Sequence, residues 1–408
     1  MTNKWKKDVG LFILSQTLSL LGSSLVQYAI FWYITLNTKS GIMMTISSIC
    51  GFLPTFFLAP FAGVWADRYN RKILIILADL FIALATLVMA ILFFMGYESL
   101  ALLFVMSALR SVGTGIQTPA VSAFVPQMVP EDKLTKVMGI NGSIHSVVLL
   151  ISPMISGALL TIVPLESIFF IDVVTAAIAV IVLGVFLKVP AHAKAQNPQA
   201  VSYFKDLKEG IRYIGAHTYV KKFFVFCAVF FFMVAPAAFL TPLQVTRSFG
   251  DEVWRLTAIE IAFSSGMILG GIIIASWGGF KNRIYTMTLS CVVCGICTLA
   301  LGLVPLFWIY LAIMAAFGVV MPFFNTPSMV LLQEKVEPDF LGRVFGVMGM
   351  ISSSMMPLGM LVFGPIADII RIEWLLIGTG FLMFVQSFFL IGSKDLVQAG
   401  NPKAEAAE

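Results

Sequence analysis

Charge is what this sequence has least of. Charged residues make up 12% of its 408 positions against 59% hydrophobic, about half the charged share of a soluble domain. The balance points to an integral membrane protein rather than a soluble enzyme. The net charge of +5 does not mark a nucleic-acid binder, because the basic residues sit in short loops between apolar runs. No Gly-x-x-x-x-Gly-Lys-Ser/Thr phosphate loop occurs, which argues against nucleotide-driven pumping by this chain. The three histidines form no zinc-spaced pair, and there is no nucleophile elbow. No metal, catalytic residue or cofactor is therefore expected. The five cysteines, Cys50, Cys227, Cys291, Cys294 and Cys297, all lie inside apolar runs. Cys291-x-x-Cys294 has no soluble α/β context, so it reads as small apolar helix residues rather than a redox pair. The run from Val9 to Thr35 is too long for a signal-peptide core, and no small-residue cleavage site follows it; it reads as a retained span.

What is present is a series of apolar stretches near 9–36, 41–65, 73–95, 99–125, 137–163, 167–187, 221–246, 256–277, 284–304, 307–332, 344–369 and 373–392. Each is long enough to cross a bilayer, which takes about 20 residues. The expectation is an all-α protein of twelve transmembrane helices. With both termini on the inner side, the inner segments hold 21 of the 26 Lys and Arg and the outer segments four. Only Arg110 falls inside a span. This asymmetry sets the orientation, with both termini cytoplasmic in a cell membrane.

The chain also repeats. Thr118-Pro119 recurs as Thr326-Pro327 and Pro130-Glu131 as Pro338-Asp339; Trp65, Asn70 and Arg71 recur as Trp277, Asn282 and Arg283. Offsets near half the chain length, at matching span ends, indicate two six-span halves of like orientation. The expected organisation is an N-terminal half (1–187), a linker (188–220), a C-terminal half (221–393) and a tail (394–408). In the linker, Tyr203, Phe204, Leu207, Ile211 and Tyr213-Ile214 fall at helical spacing among charges, as in an amphipathic helix lying on a membrane surface.

The turn Gly63-Val64-Trp65-Ala66-Asp67-Arg68-Tyr69-Asn70-Arg71-Lys72 cannot enter hydrocarbon, so it marks an inner surface turn and a candidate gate. Gly63, Asp67, Arg68, Arg71 and Lys72 are its candidate residues, and Asp79 is expected to join the same charge network. Ionisable groups deeper in spans are costly and therefore functional candidates. Arg110, followed by Gly113 and Gly115, lies near the midplane of span 4. Asp172 in span 6 could take up a proton within the physiological range. Glu260, at the start of span 8, is the third proton-coupling candidate. Gln27, Tyr28, Asn141, His145 and Asn325 are polar groups that could face a central cavity. Pro119, Pro153 with Gly157, and Pro357 mark expected helix bends. Gly266-x-x-x-Gly270 is expected to be a close-packing face.

These motifs resemble the major facilitator superfamily. Gly63-x-x-x-Asp67-Arg68-x-x-Arg71-Lys72 looks like its loop signature between spans 2 and 3, with Asn70 where glycine is usual. Arg110 with Gly113 and Gly115 looks like its span-4 motif, and Ser152-Pro153-x-x-x-Gly157 like a reduced span-5 antiporter motif. Within the superfamily, Gly51-Phe52-Leu53-Pro54, Arg110-Ser111-Val112-Gly113-Thr114, Ile171-Asp172-Val173 and Gln333-Glu334-Lys335 with Leu341-Gly342-Arg343-Val344-Phe345 resemble the macrolide-efflux branch of bacterial drug exporters. The resemblance implies a monomeric bacterial plasma-membrane exporter of amphiphilic, macrolide-like drugs, driven by proton influx through alternating access. It also implies that Asp67 docks against span 11 to lock the inner side. The alternatives are an importer, or a lipid or siderophore transporter, of the same fold; a non-transporting membrane partner of an ATPase is the third.

Overall fold

A computed structural model describes residues 4–187 and 203–401, with the side chains of some helix residues, Asp67 and Glu131 among them, outside the description. The described residues contain no strand, as a bilayer requires: a chain in hydrocarbon must satisfy its backbone groups internally, and a helix does so within one segment. Among the described residues, twelve helical segments are long and apolar enough to span a membrane.

The first unit holds α1 (Lys4–Thr38), α2 (Gly41–Arg68) from Ile46 onward, α3 (Arg71–Phe94), α4 (Leu100–Met128), α5 (Glu131–Ile162) and α6 (Leu165–Ile181), the last running into a wider π turn at Val182–Phe186. The second holds α7 (Tyr203–Ala216), α8 (Thr218–Phe239), α9 (Thr241–Ser248), α10 (Val253–Trp277), α11 (Arg283–Leu301), α12 (Phe307–Lys335), α13 (Pro338–Ile369), α14 (Ile372–Gly392) and α15 (Lys394–Ala399). The expected linker positions 188–202 lie outside the described residues. The amphipathic helix is α7, which packs on the start of α13: Tyr213 stacks on Phe340 at 4.6 Å, and Glu209 pairs with Arg343 at 3.2 Å.

Internal repetition is visible in the packing. In the first unit α3 packs on α4 and α6, and α1 on α5 and α6; in the second, α11 packs on α12 and α14, and α8 on α13 and α14. The span expected at 221–246 is two helices, α8 and α9, interrupted at Leu240, with Pro242 opening α9. Proline lacks an N–H and fits the first turn of a helix, so it starts a new helix here rather than continuing the old one. Pro119, Pro153 and Pro357 each lie inside one continuous helix.

The turns after α2 and α10 share a cap. The Asn70 side chain accepts from the Lys72 N–H at 3.0 Å and that of Asn282 from the Ile284 N–H at 2.9 Å, opening α3 and α11 alike. The two preceding helices end differently. α2 stays helical through Asp67 to Arg68, whereas α10 stops at Trp277 and leaves through Gly278 and Gly279 with φ of 76° and 80°. Position 279, the counterpart of Asp67 in the repeat, sits in a left-handed conformation that favours glycine.

The start of α2 is held by a carboxylate distant in sequence. Lys39–Thr45 clusters with the second unit, where the Asp368 carboxylate accepts from the backbone N–H of Gly41 (2.7 Å) and Ile42 (2.9 Å), from Ser40 Oγ (2.7 Å) and from Arg247 (2.6 Å). The first N–H groups of a helix have no intrahelical partner and carry its positive dipole end, so this carboxylate acts as an N-cap borrowed from α13. Asp368→Ala is expected to cost about 1–2 kcal/mol, the upper range for losing a cap. Faster amide exchange at Gly41 and Ile42 would register the loss, and unchanged exchange would show the cap to be dispensable.

Candidate functional site

Among the described residues, the buried charged groups of the first unit lie on α3, α4 and α6 with α1 against them, in two layers. Asp172 (0% exposed) and Arg110 (5% exposed) form an ion pair. Arg110 also donates to Thr86 Oγ1, and its second nitrogen to the Ser23 carbonyl at 3.2 Å. Ser23 Oγ and Thr86 Oγ1 each donate to the Asp172 carboxylate at 3.1 Å. An isolated charge at this depth would be strongly unfavourable; paired and hydrogen-bonded, the two are held, and removing either strands the other.

Glycines permit this convergence. A Cβ on Gly22 would collide with Thr175 and come within 3.0 Å of Asp172 Oδ1, so α1 runs against the carboxylate itself. One on Gly113 would collide with Ile82 of α3, and one on Gly115 would lie 3.1 Å from Thr55 Cα of α2. The two glycines after Arg110 thus allow close approach on two different neighbours.

The second layer centres on Asp79 (1% exposed), whose Oδ1 accepts from Ser19 Oγ of α1 at 3.2 Å and Gln117 Nε2 of α4 at 2.5 Å. Its Oδ2 and the neighbouring Gln16 Nε2 are buried without a hydrogen-bond partner. This corrects the expectation that Asp79 joins the charges of the α2–α3 turn: the helix turns its carboxyl away from the turn and into the bundle. Arg71 instead donates to the carbonyls of Ala66 (2.9 Å) and Ala123 (2.8 Å), tying the end of α2 to α4. Lys72 donates to the carbonyls of Leu187 (2.6 Å) and Gly184 (3.3 Å), which the π turn leaves available. Arg68 is exposed, and a Cβ on Gly63 would meet open space. The Asp67 side chain, the expected gate, lies outside the described residues.

Glu260 stands two turns inside α10, which begins at Val253 rather than near 256 as expected; it makes no ion pair or hydrogen bond among the described residues. Gln27 is exposed but lies against α2, where a Cβ on Gly51 would come within 3.2 Å of its Nε2. Tyr28 is half-buried and meets Trp32 edge-on at 6.0 Å. Asn141 and His145, one turn apart on α5, are half-buried and exposed, and Asn325 is exposed on α12. None of these five joins the buried layers. Gly157 is buried in α5, where Ser156 Oγ donates to the Leu25 carbonyl at 3.0 Å.

Sequence reasoning missed Ser19, Ser23, Thr86 and Gln117. A signal was available in spacing: Thr86 is seven residues beyond Asp79, Gln117 seven beyond Arg110 and Ser23 four beyond Ser19. Seven residues are about two helical turns, so each pair lies on one face.

Comparisons place this architecture among known proteins. The chain is 32% identical to "Macrolide efflux protein A" of Streptococcus pyogenes, over 92% of this chain and 93% of the relative. The Staphyloferrin A transporter of Staphylococcus aureus is 23% identical, over 94% and 96% of the two chains. Among solved structures, a bacterial homologue of the human lysosomal transporter Spinster superposes with a TM-score of 0.69 at 15% identity, covering 99% of this chain and all of that one. Residues 12–360 match the Major Facilitator Superfamily description, and with the twelve spans, the repeated packing and the near full-length relative, the chain belongs to the Major Facilitator Superfamily.

Proposed function

We propose that this transporter is a secondary active exporter of amphiphilic, macrolide-like drugs, driven by proton influx, with both termini cytoplasmic in a bacterial plasma membrane. The observation that carries the coupling is the Arg110–Asp172 pair, buried where α1, α3, α4 and α6 converge. A proton on Asp172 removes the charge that holds Arg110, and the guanidinium must then find other acceptors. Proton binding thereby shifts the energetic preference of the surrounding helices, which is what a coupled transporter needs. The drug class rests on the macrolide-efflux relative, and the orientation on the excess of basic residues in the segments assigned to the inside. The turn residues Arg71 and Lys72 hold the ends of α2 and α6 in place, so that Asp67 can act as a gate.

Expression in a macrolide-sensitive bacterium should lower drug accumulation, and a protonophore should restore it. Unchanged accumulation with the protonophore would reject proton coupling; uptake of a siderophore in place of macrolide export would reject the drug class. In proteoliposomes, Asp172→Asn is expected to flatten the pH dependence of transport, and an unaltered profile would remove Asp172 from the coupling path.

A further inference from the structure

We propose that Asp79 is a second proton-binding site, in series with Asp172 inside the first unit; the inference rests on the proton-coupled reading above. Four observations support it. First, no basic residue among the described ones pairs with Asp79. On the elements packed around it, Arg110 of α4 is paired with Asp172 of α6, and Lys72 at the start of α3 and Arg71 beside it donate to backbone carbonyls. Second, the side chains that address it among the described residues are neutral: Ser19 and Gln117 donate to Oδ1, and the carboxamide of Gln16 lies beside the same group. An ionised carboxylate buried among apolar helices and supported by neutral donors alone is costly, and a proton removes that cost.

Third, one carboxyl oxygen has no charged neighbour to hold it. Oδ2 is buried with no partner, and the carboxamide of Gln16 lies against the same carboxyl group. The ligand set suits a proton better than a metal cation: hard cations need several oxygen ligands, whereas Gln117 presents its amide N–H here. Fourth, one helix serves both carboxyl groups. Ser19 and Ser23, one turn apart on α1, donate to Asp79 and Asp172 respectively, and a hydroxyl both donates and accepts. Asp79 with Thr86 on α3, and Gln117 with Arg110 on α4, set the layers about 10 Å apart at 1.5 Å rise per residue.

The test uses the full-length protein in lipid. Infrared difference spectra between acid and alkaline buffer should contain the C=O stretch of a buried protonated carboxyl. Asp79→Asn should remove one component of that band, and Asp172→Asn should leave that component in place. A band unchanged by Asp79→Asn would overturn the proposal, as would a component that responds to sodium chloride rather than to acid. If Asp79→Asn does not fold, Asp79→Glu replaces it: a shifted band supports the site and an unshifted one overturns it. In proteoliposomes loaded with a radiolabelled macrolide, Asp79→Asn should retain substrate counterflow, which needs no net proton movement, and lose accumulation driven by a pH gradient. Accumulation equal to wild type would overturn the proposal. If the wild-type protein moves no macrolide, the parent reading fails, and the infrared result still decides whether Asp79 binds a proton.

Discussion

Replacing Arg110 with alanine is expected to abolish transport and to destabilise the first unit by about 3–5 kcal/mol, the usual cost of breaking a buried ion pair from one side. The reason is specific to what remains. Asp172 keeps two hydroxyl donors, Ser23 and Thr86, but loses its only cation among the described residues. The charge is then left in an apolar surround, or is removed by a proton and the coupling with it. The double variant Arg110→Gln with Asp172→Asn takes both charges away. It should regain much of the melting temperature while transport stays insensitive to a pH gradient. A single Arg110→Ala variant that melts like the wild type would show that the pair contributes little to the fold, and a double variant that still couples to protons would move the coupling elsewhere.

Gly270→Val is expected to lower the stability of the second unit by about 2–3 kcal/mol, at the upper end of overpacking costs. α10 and α12 cross backbone to backbone here. A Cβ on Gly270 would collide with the Val319 carbonyl, one on Gly266 with that of Ala315, and one on Gly318, facing back, with that of Phe263. No flexible side chain can give way, because the obstacles are main chain. The helices would separate, losing the close packing that drives helix association where the hydrophobic effect is weak. The neighbouring residue supplies the control: a Cβ on Gly271 meets nothing within 4 Å, so Gly271→Ala should leave the melting temperature unchanged. Equal effects at 270 and 271 would mean that helix propensity, not the crossing, decides.

Much of this was legible because hydrocarbon leaves a chain few choices. Twelve long apolar runs could only be helices, the repeat of Asn70 and Arg71 at Asn282 and Arg283 marked equivalent turns, and Gly266-x-x-x-Gly270 marked a crossing. Spans were harder to read where a local rule competes: one continuous apolar run hides the break at Leu240, which proline chemistry, not hydropathy, imposes. Side-chain pairing was the least legible layer. Asp79 lies close in sequence to Arg71 and Lys72 and far from Ser19 and Gln117, yet burial and helical phase, not sequence distance, choose its partners. Asp368 reads as an ordinary acidic residue at a helix end until its carboxylate is seen to accept from the first N–H groups of α2. Gly279 stands where the repeat would place a counterpart of Asp67, and its left-handed backbone supplies a reason for the mismatch.

The glycine at position 22 has a further consequence. With the main chain of α1 already against Asp172 and Thr175, the carboxylate has no slack on that side into which to relax when its charge changes. A loosely packed acid would absorb protonation by turning its own side chain and disturb nothing else. One wedged against a neighbouring backbone passes the disturbance to that backbone, so the missing methyl group makes a titration event mechanical. Sensitivity to protons in such a unit is set as much by how little room surrounds the acid as by the acid itself.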